Sequence, residues 1–162
     1  TDPLTGVLNR RGFESCADTL FAEPDAASHK GFCLLMLDVD HFKNINDNYG
    51  HLLGDKVLTA IATTLKSKVQ GQDLVGRLGG EEFAILLPHS DRESARLYAE
   101  RVRQRIAAIE IPVGDAKVRL TVSIGCTLLN PSDSSPEAAL ARADRALYQA
   151  KRNGRDRIES KW

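Results

Sequence analysis

The chain has 162 residues, and 22 Lys plus Arg balance 22 Asp plus Glu, so the formal net charge is zero. That length fits one domain with a core of its own, and a neutral balance lacks the basic field that holds nucleic acid or an anionic membrane. No apolar run approaches the roughly 20 residues of a membrane span, and no signal-peptide pattern opens the sequence.

In chain order, Thr1–Arg11 (TDPLTGVLNRR) is a turn-rich lead-in with Pro3 and Gly6. Asn9 has the side chain of an N-cap for a helix over about Arg10 to Phe21. Glu23 to Lys30 reads as a polar loop. Gly31 to Asp40 is near-continuously apolar and ends in acid, the pattern of a central strand covered on both faces. His41 to Gly54 is polar and Asn-rich, with too little apolar period to assign. From Asp55 onward, Val57, Leu58, Ile61, Ala62, Leu65 and Val69 form a helical stripe.

Asp73–Arg77 and Phe83–Leu87 are short strand-like runs around Leu78-Gly79-Gly80-Glu81-Glu82. The spacing predicts a β-hairpin whose Gly-Gly pair supplies the positive φ angles of a tight turn. Ser90-Asp91-Arg92-Glu93 resembles a capping box, and Ala95, Tyr98, Val102, Ile106 and Ile109 make the stripe of the next helix. Val118 to Leu128 reads as one strand with a bulge at Gly125. Ser135-Pro136 opens a helix to about Ala150, closed near Gly154, and Asp156 to Glu159 forms a terminal edge strand. The order α-β-α-β-β-α-β-α-β predicts an α/β sandwich around a central mixed sheet.

Cys16, Cys33 and Cys126 are odd in number, widely spaced and set in or near apolar runs. They read as reduced, buried thiols rather than a disulfide framework or a zinc site. The expected compartment is reducing: cytoplasm, or the cytoplasmic side of a membrane-anchored parent. The chain starts at Thr1 without an initiator Met, which suggests a piece of a longer protein.

The chemistry concentrates in acids. Asp38 and Asp40, at i and i+2 on a strand, share one face at the strand end where α/β sheets place ligands. With the hairpin strand alongside, Glu81 or Glu82 can approach Asp38, and strand alternation admits one of the two. Carboxylates gathered this way repel unless a cation joins them. Hard oxygen ligands without His or Cys suit Mg²⁺ or Mn²⁺, whose shells are completed by substrate phosphates. Gly50–Lys56 misses the GxxxxGK[ST] phosphate loop, which excludes a Walker-type NTPase.

Five ordered motifs resemble the GGDEF domain, the catalytic domain of diguanylate cyclases: TDPLTGVLNRRGF at 1–13, LDVDHFKNINDNYGHLLGD at 37–55, RLGGEEF at 77–83, LTVSIG at 120–125 and ADRALYQAKRNGRDR at 143–157. The resemblance spans the chain as one domain, residues 1–162. It implies a nucleotide-cyclase or palm-like fold with a five-stranded central sheet plus the hairpin bearing GGEEF. It implies condensation of two GTP into cyclic di-GMP across a homodimer, regulated by an upstream sensor or dimerisation domain, without nucleic acid or direct membrane contact.

By the same resemblance, Asp38, the Val39 carbonyl and Glu81 match Mg²⁺ ligands, and Glu81 or Glu82 would assist deprotonation of the ribose 3′-hydroxyl. Gly79 and Gly80 would lie over the phosphates, where only glycine lets backbone N–H groups approach. Lys43 with the amides of His41 and Phe42, then Lys151, Arg155 and Arg77, match phosphate contacts. Asn46 and Asp55 match the guanine-reading pair, flanked by His51; a carboxylate suits the N1–H and N2–H₂ donors that adenine lacks.

One position departs from the family pattern. Members inhibited by product carry Arg-x-x-Asp ending five residues before the paired glycines, whereas this chain has Gln70-Gly71-Gln72-Asp73. Gln cannot supply the charge or bidentate fork of Arg, so primary-site product inhibition is expected to be absent or weak. Arg101 reads as an ordinary helix-surface residue. A catalytically silent GTP-binding regulatory module is the rival function. A cyclase that also accepts ATP is opposed by Asp55.

Overall fold

The computed structural model describes residues 1–22, 31–130, 133 and 135–162; the polar loop expected over Glu23–Lys30 lies outside the described residues. In order the elements are β1 (Leu8–Asn9), α1 (Arg10–Phe21), β2 (Cys33–Val39), α2 (Phe42–Tyr49), α3 (His51–Lys68), β3 (Leu74–Arg77), β4 (Glu82–Leu87), α4 (Arg92–Ala107), β5 (Ile111–Val113), β6 (Ala116–Val118), β7 (Val122–Leu128), α5 (Pro136–Arg152) and β8 (Ile158–Ser160). The α/β sandwich stands as expected. Among the described residues its sheet has six strands, not five, in the order β1-β3-β4-β2-β7-β8, and β5-β6 is a separate hairpin.

β2 is the centre of the sheet. All seven of its residues are buried, because it pairs antiparallel with β4 on one side and β7 on the other and both its faces are covered. Cys33, Leu35, Leu37 and Val39 join Ile61, Leu65, Val102 and Ile106 in the core beneath α3 and α4. Leu34 and Met36 face the other way, into the core formed with Phe13 of α1 and Ala143 and Leu147 of α5. Alternation along the strand therefore aims Asp38 toward α5.

Local signals placed most ends. Asn9 caps α1, its side chain accepting from Gly12 N at 2.8 Å. The capping-box reading fails by one residue: Asp91, not Ser90, caps α4 and accepts from Ser94 N at 2.8 Å. The unassigned polar segment forms α2 and the first turn of α3, which begins at His51 rather than Asp55. α2 buries only Ile45, which is why periodicity could not reveal it.

Two glycine readings are also corrected. Gly125 is no bulge, since β2 and β7 stay in register through Met36–Gly125. A Cβ there would instead overlap Ala143 O and Leu147 N, so glycine lets α5 lie against the sheet. The strand expected over Val118–Leu128 is two, β6 and β7, belonging to different sheets. At the hairpin tip neither Gly79 nor Gly80 has a positive φ. The turn is wider than a two-residue type, closed by Leu78 N donating to Glu82 O at 2.9 Å.

Candidate active site

The site lies where β2 and β4 end beside the C-terminus of α5. The register sets Asp38 directly opposite Glu82. Glu81 is outside the strand, in the turn, where its carbonyl accepts from Val39 N. Strand alternation therefore does not bind Glu81, and both glutamates feel Asp38 rather than one. Asp38 is 4% exposed. Its Oδ2 forms an ion pair with Lys151 Nζ at 2.8 Å, while its buried Oδ1 has no hydrogen-bond partner among the described residues.

Burial pushes the Asp38 carboxyl above its usual range, with Lys151 pulling it back. Glu81 is raised by burial and then by the Asp38 charge. Glu82 is raised by burial, then by Asp38 and Asp144. Three acids strained toward neutrality invite a cation. Among the described residues no three His, Cys, Asp or Glu side chains converge as a metal cluster. The available set is two carboxylates, Asp38 and Glu81, with the Val39 carbonyl. Such an all-oxygen set with an unsatisfied buried oxygen fits a hard divalent ion that draws its remaining ligands from water and phosphate.

A cleft of about 190 Å³ unites Asp38, Val39, Asp40, His41, Phe42, Lys43, Glu81, Lys151 and Arg155. Lys151 and Arg155, though four positions apart, do not share a helix face. α5 ends at Arg152, and Arg155 adopts φ 64°, so the loop rather than helical spacing returns it to the cleft. His41 precedes α2 at φ 56°, turning the chain sharply between Asp40 and the amide of Phe42.

The other expected residues lie outside this cleft. Arg77 is spent on the fold: it donates to the Gly79 and Gly80 carbonyls and pairs with Asp2 at 3.2 Å, tying the N-terminal lead-in to the turn. Gly79 and Gly80 sit at the tip, where a Cβ on Gly79 would lie 3.3 Å from Glu82 Oε2. Asn46 has a buried Oδ1 without a hydrogen-bond partner among the described residues, packed where a Cβ on Gly54 would overlap it. Asp55 and His51 are exposed, one turn apart on α3.

Sequence reasoning also left roles unassigned. Asp40, 4% exposed, accepts from Thr121 Oγ1 at 2.6 Å, Ser123 Oγ at 2.7 Å and Asp156 N at 3.0 Å. Glu82 faces a second cleft with Arg10 and Asp144. These partners come from distant segments, and no local pattern could have paired them.

The family model of the diguanylate cyclase GGDEF domain matches residues 1–157. The chain belongs to the GGDEF family. This GGDEF domain is 44% identical over 161 residues to diguanylate cyclase DgcP of Pseudomonas aeruginosa, covering 98% of this chain and 23% of that protein. It thus spans about a quarter of that relative's length. The GGDEF domain of DgcB from Caulobacter crescentus, solved in complex with c-di-GMP, superposes with TM-score 0.91 at 32% identity, covering 99% of this chain and 92% of that one. The active GGEEF domain of a diguanylate cyclase from Vibrio cholerae gives TM-score 0.85 at 35% identity over 95% of this chain and 97% of that one. Among the described residues, no helix is long and apolar enough to cross a membrane.

Proposed function

We propose that this GGDEF domain is a diguanylate cyclase, condensing two GTP into cyclic di-GMP and two pyrophosphates. The observation that carries the reading is the convergence of Lys43, Lys151 and Arg155 on one cleft with Asp38 and Glu81. Three cations facing an all-oxygen ligand set is the electrostatic complement of a metal-bound triphosphate.

Each 3′-oxygen forms a bond to the α-phosphorus of the other nucleotide, each α-phosphorus releases pyrophosphate, and the 3′-proton leaves to a base. Asp38, the Val39 carbonyl and Glu81 would hold Mg²⁺ (or Mn²⁺), which would supply charge neutralisation and a lowered hydroxyl pKa. Glu82, held above its usual range and directly opposite Asp38, is positioned to take the proton with or in place of Glu81. Lys43, the Phe42 amide, Lys151 and Arg155 orient the phosphates, with Gly79 and Gly80 over them. Asn46 and Asp55 read guanine and His51 flanks them. Arg77 acts indirectly by fixing the turn.

One domain holds one GTP, so two must face each other as a homodimer, brought together by an upstream segment of a longer cytoplasmic or membrane-anchored parent. Concentrated protein incubated with GTP and Mg²⁺ is expected to yield cyclic di-GMP by chromatography, and Glu82→Gln to abolish it. Absent product, fusion of a dimerising coiled coil decides: continued silence with intact GTP binding makes the domain a regulatory nucleotide-binding module.

A further inference from the structure

In the loop after α5, Asp156 is gripped from two sides by elements distant in sequence. Asp156 N donates to Asp40 Oδ2 at 3.0 Å, and Asp156 Oδ1 accepts from Arg103 of α4 at 2.7 Å. Arg103 is itself held by Glu100, one turn earlier on the same helix. Arg155 and Asp156 both have left-handed φ, 64° and 45°, a conformation that disfavours side chains other than glycine and persists where surroundings over-determine it. The residue next to this double anchor, Arg155, is the one that reaches the phosphate cleft. Its side chain is exposed, and its backbone is tied only locally, N donating to Ala150 O at 3.0 Å and O accepting from Arg157 Nε at 3.1 Å.

We propose that Asp40 and Arg103 are positioning residues that preset Arg155 for an anionic phosphate group by clamping Asp156. The inference rests on the cyclase reading for the identity of the ligand, a nucleoside triphosphate, but not for the clamp. Asp40 acts here through the loop rather than through a metal ion: both its oxygens are already engaged by Thr121, Ser123 and Asp156. Arg103 acts from the opposite helix layer, 52 positions away in sequence from Arg155. An ion pair with one arm on a strained loop resists the loop's relaxation, and its loss should soften the loop without unfolding the core.

The test uses Arg103→Ala, Arg103→Lys, Arg155→Ala and the Arg103→Ala/Arg155→Ala double variant, with equilibrium binding of a non-hydrolysable GTP analogue and of guanosine in Mg²⁺. Amide hydrogen exchange at Asp156 is the second readout. Arg103→Ala is expected to weaken analogue binding about 5- to 10-fold, to leave guanosine unaffected, and to speed Asp156 exchange at least about 10-fold. Lys should restore part of each effect. The double variant should bind as Arg155→Ala does. Independent, multiplying losses in the double variant, or unaltered analogue affinity in folded Arg103→Ala, overturn the proposal. If the wild-type domain binds no analogue, the ligand reading fails, and exchange at Asp156 alone decides the clamp: faster in Arg103→Ala supports it, unchanged sinks it.

Discussion

Lys151 Nζ sits 2.8 Å from Asp38 Oδ2, so the domain's own ammonium neutralises the carboxylate that would hold a metal ion. Asp38 is almost wholly enclosed and Lys151 about a third exposed. Removing one partner of such a pair strands the other charge. Lys151→Met is therefore expected to destabilise the metal-free domain by about 1–3 kcal/mol. Added Mg²⁺ should raise Tm more in the variant than in the wild type, since a bound cation replaces the missing charge. Thermal denaturation with EDTA and with Mg²⁺ checks this; an equal Mg²⁺ shift in both proteins contradicts it.

Stability should also depend on pH through the same acids. Glu81 has an ordinary value of 4.5 and is held above it by burial and by Asp38. The folded state therefore keeps a proton that the unfolded chain releases, and this group's contribution to stability falls as pH rises from about 4.5 through the raised folded value. Glu81→Gln removes that loss. In EDTA its Tm relative to wild type is expected to rise from pH 4 to pH 8. A relative Tm that falls over that range would reverse the sign of the argument.

Gly125→Ala tests packing apart from chemistry. The added Cβ meets backbone atoms of α5, which cannot rotate aside. The expected cost is about 2–3 kcal/mol, a Tm fall of roughly 5–10 °C. Denaturant midpoints measure it directly.

At Gln70–Asp73 the Asp73 carboxylate accepts from Gln70 N at 3.0 Å, and Asp73 N donates to Gln70 O. The acid closes its own turn, and position 70 carries glutamine, not arginine. Cyclic di-GMP at low micromolar concentration should leave initial rates unchanged. Inhibition there, measured by pyrophosphate release, would mean that other residues bind the product.

Elements whose signal is local were legible in the sequence. The Asn9 cap, the continuous apolar run of β2, the stripe of α4 and the Pro136 start of α5 each depend on neighbours within a few positions. β1, two residues long, carries no pattern, and it owes its existence to parallel pairing with Gly76 and Arg77. α2 was hidden because one apolar residue cannot announce a period. Within the site, the motifs had already named Asp38, Glu81, Lys43, Lys151 and Arg155, which the fold brings to one cleft. The work of Asp40 and the tie of Arg77 to Asp2 were not legible, because those partners lie 81 to 116 and 75 positions away. Residue type shows that a charge is present; only the fold shows what it is already holding.

The sheet's outer strands, β1 and β8, have two and three residues. Such short rims offer little unpaired backbone for another chain to extend. The domain can be held at high local concentration beside its own copies, as a two-nucleotide reaction would demand, with little tendency to zip into continuous sheets. Encounters between copies are then left to side chains and bound nucleotide, which can separate again.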